Sequence, residues 1–274
     1  MVSKLLVFPV LLSITMDNTL HTADPNVWVM DEAFDIPQLG RTRRIWIYHP
    51  KNYHELEERY PVIYMHDGQN LFDQATAFDK EWEVDETLNT LFARCIIVGI
   101  DNSEHRMREY NFNDHEEHGP GEGRQYMEFI ATTLKPYIDA NFRTRPEREY
   151  THIAGSSMGG LISLYGALHF ASIFGGAGIF SPSLWLVPDV VNELQPIAAQ
   201  QGAYPQQFYF YGGAREGCNM VENIGKVVDM LAQYPHYELR VEIDGKGEHS
   251  EEHWREKFAN YYQWLMSNKS FQIV

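Results

Sequence analysis

An alternation of short apolar runs with segments of helical period extends along most of the chain and constrains its fold more than any other feature. The runs are rich in β-branched and aromatic residues, and they cover residues 61–66, 95–100, 151–155, 175–180, 207–211 and 238–243. Short apolar runs separated by amphipathic helices are typical of parallel strands joined by crossover helices. The sequence therefore predicts an α/β fold, with a mostly parallel sheet and helices on both of its faces.

Two earlier extended segments add an edge to this sheet. Residues 27–34 and 43–48 are separated by turn-forming residues around Pro37 and Gly40, which predicts an antiparallel pair and about eight strands in total. Helices are predicted at residues 125–142, 157–169, 218–234 and 251–266, with a kink at Pro136 in the first of them.

The domain organisation is expected to be simple. From Val27 onward the sequence contains no Gly/Ser linker, low-complexity tract or internal repeat, so residues 24–274 are predicted to form a single domain. Residues 1–23 resemble a signal peptide or a disordered terminus, because Lys4 precedes an apolar run that is too short to span a bilayer. We therefore expect a secreted or periplasmic protein, or a cytoplasmic one if Met16 is the true start.

The charge balance excludes some partners. Lys and Arg number 22 against 38 Asp and Glu, which gives a formal net charge of −16. Such a surface repels nucleic acid and anionic lipid, so we expect neither a nucleic-acid partner nor a stable membrane anchor. The two cysteines, Cys95 and Cys218, cannot build a disulfide framework.

A G-x-S-x-G motif occupies residues 155–159, at the end of one apolar run and the start of a helical segment. This strand–turn–helix setting is what a nucleophile elbow requires, and it presents the serine hydroxyl at the positive end of the helix dipole. Ser157 is therefore the candidate nucleophile. The alternative is a glycine-rich turn with an ordinary N-cap serine.

A serine nucleophile needs a general base, and the base needs an orienting carboxylate. In folds with this elbow the chain order is serine, acid, histidine. His249 lies in the loop after the last predicted strand and is the candidate base. Glu216 carries the only carboxylate in the loop after the penultimate strand and is the candidate acid, with Asp244 and Glu248 as alternatives.

The tetrahedral intermediate of acyl transfer needs two backbone N–H donors for its oxyanion. The residue after the nucleophile, Met158, is expected to supply one donor. The loop after the third predicted strand, residues 66–71, is expected to supply the other. Gln69 is the predicted donor in that loop, and Asn70 is the alternative.

One long stretch, residues 102–123, lacks any periodicity and follows a predicted strand. Loops this long in a compact domain are usually functional or mobile, and this one is expected at the carboxyl edge of the sheet, where open α/β folds place their sites. The predicted substrate-binding residues lie on this loop, on the oxyanion loop and after the sixth strand, and they are Asp67, Asn70, Arg106, Arg108, Tyr110 and Trp185. Trp185 could stack on a substrate ring, and an arginine could meet an anionic group.

Two histidine-rich patterns resemble metal sites. The pair His249 and His253 has i, i+4 spacing, and residues 115–118 read His-Glu-Glu-His. Neither pattern has the H-E-x-x-H order of zinc hydrolases. We expect no metal and no other cofactor.

With these residues in view, the chain resembles the putative-esterase (esterase D-like) family of α/β hydrolases, which includes ferric-enterobactin, feruloyl and acetyl-xylan esterases. The resemblance rests on the motifs at residues 61–73, 155–160, 180–185 and 247–254. It implies an α/β-hydrolase fold, no cofactor, and the same assignment of Ser157, Glu216 and His249. It also implies a carboxylic-ester hydrolase.

The expected partner of the protein is its substrate, a small-molecule or carbohydrate ester. We expect this ester to be small, sugar-linked, aromatic or derived from a siderophore. The sequence does not decide whether the protein forms a homodimer. The alternative functions are acyl transfer through the same acyl-enzyme, or binding without turnover on a hydrolase fold.

Overall fold

The computed structural model of the protein describes residues 21–30, 33–200, 202, 204–217 and 219–267. Its strands are β1 (Val27–Val29), β2 (Phe34–Ile36), β3 (Arg41–Arg43), β4 (Ile45–Tyr48), β5 (Val62–His66), β6 (Ile96–Ile100), β7 (Thr151–Ser156), β8 (Gly176–Phe180), β9 (Gln206–Gly213) and β10 (Tyr237–Asp244). Eight of these form the main sheet in the order β1-β4-β6-β5-β7-β8-β9-β10. The pairs β1–β4 and β4–β6 are antiparallel and the others are parallel, which confirms the predicted fold class.

The helices of the described chain are α1 (Val84–Thr90), α2 (Arg106–Glu109), α3 (Gly123–Phe129), α4 (Lys135–Asn141), α5 (Met158–His169), α6 (Val190–Gln200), α7 (Met220–Leu231) and α8 (Glu251–Ser267). A π-helical turn at Ile130–Leu134 joins α3 to α4, so the helix predicted at residues 125–142 is present but irregular. The irregular turn precedes Pro136, which has no N–H to donate to the preceding turn.

The antiparallel edge was predicted with one error. Strands β1 and β4 pair in the register Trp28 to Ile47, as the early segments indicated. Residues 34–36 and 41–43, however, leave the main sheet and form a separate two-stranded sheet. Helices α1, α2 and α6 were also not predicted, because two of them are short and α6 contains Pro196.

The edge strand β10 alternates polar and apolar residues and is partly exposed. The apolar runs of β5 to β9, in contrast, are buried on both faces of the sheet. Along β6, Ile96, Val98 and Ile100 belong to one hydrophobic cluster and Ile97 to the other, on opposite faces. The first cluster includes residues of α3, α5 and α7, and the second includes residues of α1 and α8. A strand covered on both faces can be apolar at every position, which is why these runs lack polar alternation.

The parallel strands β5 to β10 end at one edge of the sheet, and every candidate site residue lies in a loop at that edge or next to it. Within the described ranges, no helix is long and apolar enough to cross a membrane. Cys95 is a buried free thiol, whereas Cys218 and residues 1–20 of the predicted signal peptide lie outside the described residues.

Candidate active site

Ser157 occupies a strained turn between β7 and α5. Its backbone has φ 56° and ψ −121°, a conformation that non-glycine residues seldom adopt. The Ser157 N–H donates to the Phe180 carbonyl at 2.9 Å, and its own carbonyl accepts the Ser183 N–H at 3.0 Å. A Cβ at Gly155 would lie 2.8 Å from the Gly159 carbonyl group, so only glycine allows the strand and the helix this approach.

His249 and Glu216 lie on neighbouring loops that leave the parallel strands β9 and β10 side by side. The His249 Nδ1 atom is 2.7 Å from Glu216 Oε2, and the Glu216 side chain is fully buried. The other carboxylate oxygen, Oε1, accepts the Ser181 hydroxyl at 2.7 Å and the Gly213 N–H at 2.5 Å. These bonds fix the carboxylate, and the carboxylate in turn fixes the orientation and tautomer of the imidazole.

Ser181 extends this network to α8. Its hydroxyl accepts the Trp254 indole N–H at 2.8 Å while donating to Glu216. The Trp254 ring also meets the His249 ring edge-on, with centroids 5.0 Å apart. The sequence did not indicate the role of either residue, although both lie inside the family motifs.

The Ser157 hydroxyl is 3.1 Å from the Ser183 hydroxyl, its hydrogen-bond partner in this structure. Ser157 and His249 line the same cleft, but within the described part of the chain no hydrogen bond joins them. Such bonds are often long in unliganded enzymes and shorten when substrate binds. The sequence did not indicate that Ser183 would contact Ser157.

The two alternative acids are engaged elsewhere. Asp244 accepts the Lys246 N–H at 2.8 Å and lies 3.6 Å from the Lys257 ammonium group. The Lys246 N–H, and then Lys257, hold the pKa of Asp244 below its ordinary value. Glu248 faces Arg215 at 3.8 Å. Neither carboxylate therefore shares the position of Glu216 against the histidine.

The loop after β5 forms a single helical turn at Gly68–Asn70 and shares the cleft with Ser157. The Asn70 N–H donates to the Asp67 carbonyl at 2.9 Å and is therefore occupied. The Gln69 side chain accepts the Asn102 N–H at 3.0 Å, which fixes the turn to the neighbouring loop. The backbone N–H groups of Gln69 and Met158 have no hydrogen-bond acceptor among the described residues.

Asp67 and Arg106 form a two-bond ion pair in the wall of the cleft. The Asp67 carboxylate accepts both Nε and Nη2 of Arg106 at 2.8 Å, and it also accepts the Asn102 amide at 2.6 Å. Burial alone would raise the pKa of Asp67, but the guanidinium and the amide hold it below its ordinary value. Arg106 is therefore already paired with a carboxylate of the protein.

Three predicted substrate-binding residues, Tyr110, Arg108 and Trp185, are not part of the cleft lining. Tyr110 has no exposed surface, and its hydroxyl accepts the Asp67 N–H at 3.2 Å. Arg108 forms an ion pair with Glu122. The aperiodic loop brings Arg106 to the cleft and directs its neighbours elsewhere.

The cleft has a volume of about 530 Å³. It is lined by Asp67, Gln69, Asn70, Phe78, Asp79, Asn102, Arg106, Ser156, Ser157, His249, Glu251 and Trp254. Phe78 is 92% exposed at its rim, and the Trp185 ring, 38% exposed, lies 6.1 Å from the His249 ring. Asp79 and Glu251 add carboxyl groups, and burial raises the pKa of Glu251. The sequence did not indicate Phe78.

Apart from His249, the residues of the two histidine-rich patterns do not line the cleft. His253 is 3.0 Å from the Ser250 hydroxyl through its Nδ1 atom. In the long loop, ligand atoms of His115, Glu117 and His118 come within 4.8 Å of one another, but these residues are outside the cleft lining.

Comparisons with known proteins place this geometry in a family. The family model described as "Putative esterase" matches residues 36–211, which is more than half of the chain and includes the elbow. The Bacillus subtilis uncharacterized protein YbbA is 24% identical over 243 residues, covering 81% of this chain and 92% of that protein. The iron(III) salmochelin esterase of Escherichia coli is 28% identical over 154 residues, covering 55% of this chain and 34% of that protein.

A solved structure described as a ferulic acid esterase covers 88% of this chain and 99% of its own, with a TM-score of 0.69 and 18% identity. At that identity the likeness shows a shared fold. The family match, the esterase-named relatives and the elbow on this fold agree with one another. The chain therefore belongs to the putative esterase family of α/β hydrolases, and it is a carboxylic ester hydrolase.

Proposed function

We propose that the protein hydrolyses its ester through a Ser157–His249–Glu216 triad and an acyl-enzyme intermediate. The observation that carries the proposal is the 2.7 Å contact between His249 Nδ1 and the buried Glu216 carboxylate, beside the cleft that Ser157 lines. A buried carboxylate on Nδ1 leaves Nε2 unprotonated and directed away from it, which is the state that a general base requires.

In the first half of the reaction, His249 Nε2 accepts the proton of Ser157 as Oγ attacks the ester carbonyl carbon. The oxyanion that forms is stabilised by the N–H groups of Met158 and Gln69, which have no other described acceptor. The imidazolium then protonates the leaving alcohol, and the C–O bond to that alcohol breaks. In the second half, His249 accepts a proton from water as the water oxygen attacks the acyl carbon. The bond between that carbon and Ser157 Oγ then breaks, Oγ takes the proton back from the imidazolium, and the acid is released.

Ser183 holds the nucleophile before substrate arrives. Its hydroxyl is 3.1 Å from Ser157 Oγ, so attack requires the serine to exchange this partner for His249. The Glu216–His249 pair does not move in this step, because the carboxylate is held by Ser181 and Gly213.

The cleft favours an uncharged ester that carries an aromatic or sugar ring. Arg106 is paired with Asp67, so it offers little net charge to an anionic substrate. Asp79 and Glu251 also line the cleft and would repel an anion. Phe78 and Trp185 offer exposed ring faces near the reacting centre, where a substrate ring can stack.

The test compares two acid variants that differ only in which carboxylate is lost. Hydrolysis of p-nitrophenyl esters is measured for wild type, Ser157→Ala, Glu216→Gln and Asp244→Asn. We expect Ser157→Ala and Glu216→Gln to lose about 10³-fold or more in kcat, while Asp244→Asn stays within about twofold of wild type. Activity that survives in Glu216→Gln but is lost in Asp244→Asn would refute the assignment of the acid.

A further inference from the structure

A second group of carboxylates lies away from the triad, at the start of α1. Ligand oxygens of Glu81, Asp85 and Glu86 all come within 4.8 Å of one another. Glu81 is 3% exposed and Asp85 is fully buried, so this is not a solvated acidic surface. Buried carboxylates this close to one another need compensation from a proton or a cation.

The described residues provide few hydrogen-bond donors and little positive charge to these carboxylates. Glu81 Oε1, Asp85 Oδ1 and Glu86 Oε2 are buried, and none of them has a hydrogen-bond partner in the described structure. Within the same residues no lysine, arginine or histidine forms an ion pair with any of the three carboxylates. The nearby Arg255 binds the Glu83 carboxylate at 2.6 Å and the Glu81 main-chain carbonyl.

The remaining contacts of the group are neutral donors. The Thr22 hydroxyl donates to Glu81 Oε2 at 2.6 Å, and the Asp24 N–H donates to Asp85 Oδ2 at 2.8 Å. Burial raises the pKa of Glu81 to about 7, and burial followed by the neighbouring Glu86 raises that of Asp85 to about 9. Each carboxylate thus has one buried oxygen without a hydrogen-bond partner among the described residues.

We propose that Glu81, Asp85 and Glu86 bind a calcium ion through these unpaired oxygens. Calcium takes six to eight oxygen ligands at 2.3–2.6 Å in loose geometry, so opposite ligands can be about 4.6–5.2 Å apart. One oxygen from each of the three carboxylates lies within 4.8 Å of the other two, which is close enough for a single ion to contact all three. An all-carboxylate set contains no nitrogen or sulfur donor that would favour zinc.

The site would connect the amino-terminal segment to the rim of the catalytic cleft. Thr22, which donates to Glu81, also accepts the Gln74 N–H at 2.8 Å. The Gln74 side chain bonds to the Asp79 carbonyl at 2.9 Å and accepts the Glu81 N–H at 3.1 Å. Calcium would therefore stabilise the loop that carries Phe78 and Asp79 into the cleft.

The experiment is a thermal-unfolding titration of the EDTA-treated full chain with CaCl₂, with NaCl at equal ionic strength and MgCl₂ as comparisons. We expect Tm to rise by about 5–10 °C when Ca²⁺ exceeds its Kd about 100-fold. Mg²⁺ should raise Tm less, because it demands octahedral geometry and dehydrates reluctantly. Thermal unfolding does not depend on esterase activity, so the outcome is separate from the test of the triad.

The variants Glu81→Gln and Asp85→Asn locate the effect. Without calcium they should unfold no lower than wild type, because a neutral amide needs no proton or cation to offset its burial. They should also lose the calcium-induced shift. The control is Glu117→Gln, from the exposed His115–His118 run, which should keep the full shift. The proposal is overturned if wild type shows no shift, if Mg²⁺ acts equally, if the shift survives in both variants, or if it is lost in the control.

Discussion

His66 makes the stability of the protein depend on pH in a direction that the structure fixes. The imidazole has no exposed surface, its Nδ1 atom is 2.9 Å from the Tyr126 hydroxyl, and its Nε2 atom is buried without a partner among the described residues. Burial lowers the pKa of His66 to about 3, and the opposing fields of Asp67 and Arg106 modify it further. The folded protein therefore keeps this histidine neutral in mild acid.

The size of this pH effect follows from the difference in proton binding between the folded and the unfolded protein. The pKa of an unfolded histidine is about 6.5, so between pH 6.5 and pH 3 the unfolded chain binds a proton at His66 and the folded protein does not. The free energy of unfolding then falls as the pH falls, by about 1.36 kcal/mol for each pH unit. Integration from pH 7 to pH 4.5 gives a loss of about 2.5 kcal/mol from this one group. The contribution is fully present above pH 6.5 and is lost toward pH 3.

The assay is urea unfolding at pH 7 and pH 4.5, followed by tryptophan fluorescence, for wild type and His66→Gln. Glutamine does not titrate and can still bond to Tyr126, and each protein is compared with its own value at pH 7, so the structural cost of the substitution cancels. We expect the variant to lose about 2.5 kcal/mol less than wild type on acidification. Equal losses in the two proteins would refute the reasoning.

Three further predictions concern the site itself. Ser181→Ala should lower kcat about tenfold with KM nearly unchanged, because Glu216 loses a donor that positions it, and steady-state kinetics on a p-nitrophenyl ester would show this. Gly68→Ala should lower the free energy of unfolding by about 1–3 kcal/mol and should also lower kcat, because the alanine Cβ would lie 2.8 Å from the Ile100 backbone nitrogen. Unchanged urea midpoints would contradict this prediction. Phe78→Ala should raise KM for aryl esters but not for short alkyl esters, and it should leave Tm within about 1 °C because the side chain is 92% exposed.

The strand pattern and the elbow could be predicted because both are local. A strand buried on both faces is a continuous apolar run, and the G-x-S-x-G turn is specified within five residues. The neighbouring positions of Glu216 and His249 followed from chain order, since β9 and β10 are adjacent and parallel and the loops after them leave together. The structure places these two side chains 2.7 Å apart.

The rest of the site depends on contacts between distant segments, which a single sequence does not encode locally. Ser181 lies 35 residues before Glu216 and 73 before Trp254, so its bridging role became visible only in the folded chain. Because residues 102–123 lack periodicity, the sequence did not indicate which side chains of this loop point into the cleft. Arg106 was therefore predicted alongside Tyr110, although the latter is fully buried.

The serine assignment is tested most directly by intact-mass spectrometry after treatment with a fluorophosphonate, which reacts with an activated serine. The folded wild type should gain the mass of a single phosphonyl adduct, peptide mapping should place it on Ser157, and Ser157→Ala should gain none. An unlabelled but folded wild type, or an adduct that persists in Ser157→Ala, would contradict the proposal that Ser157 is the nucleophile.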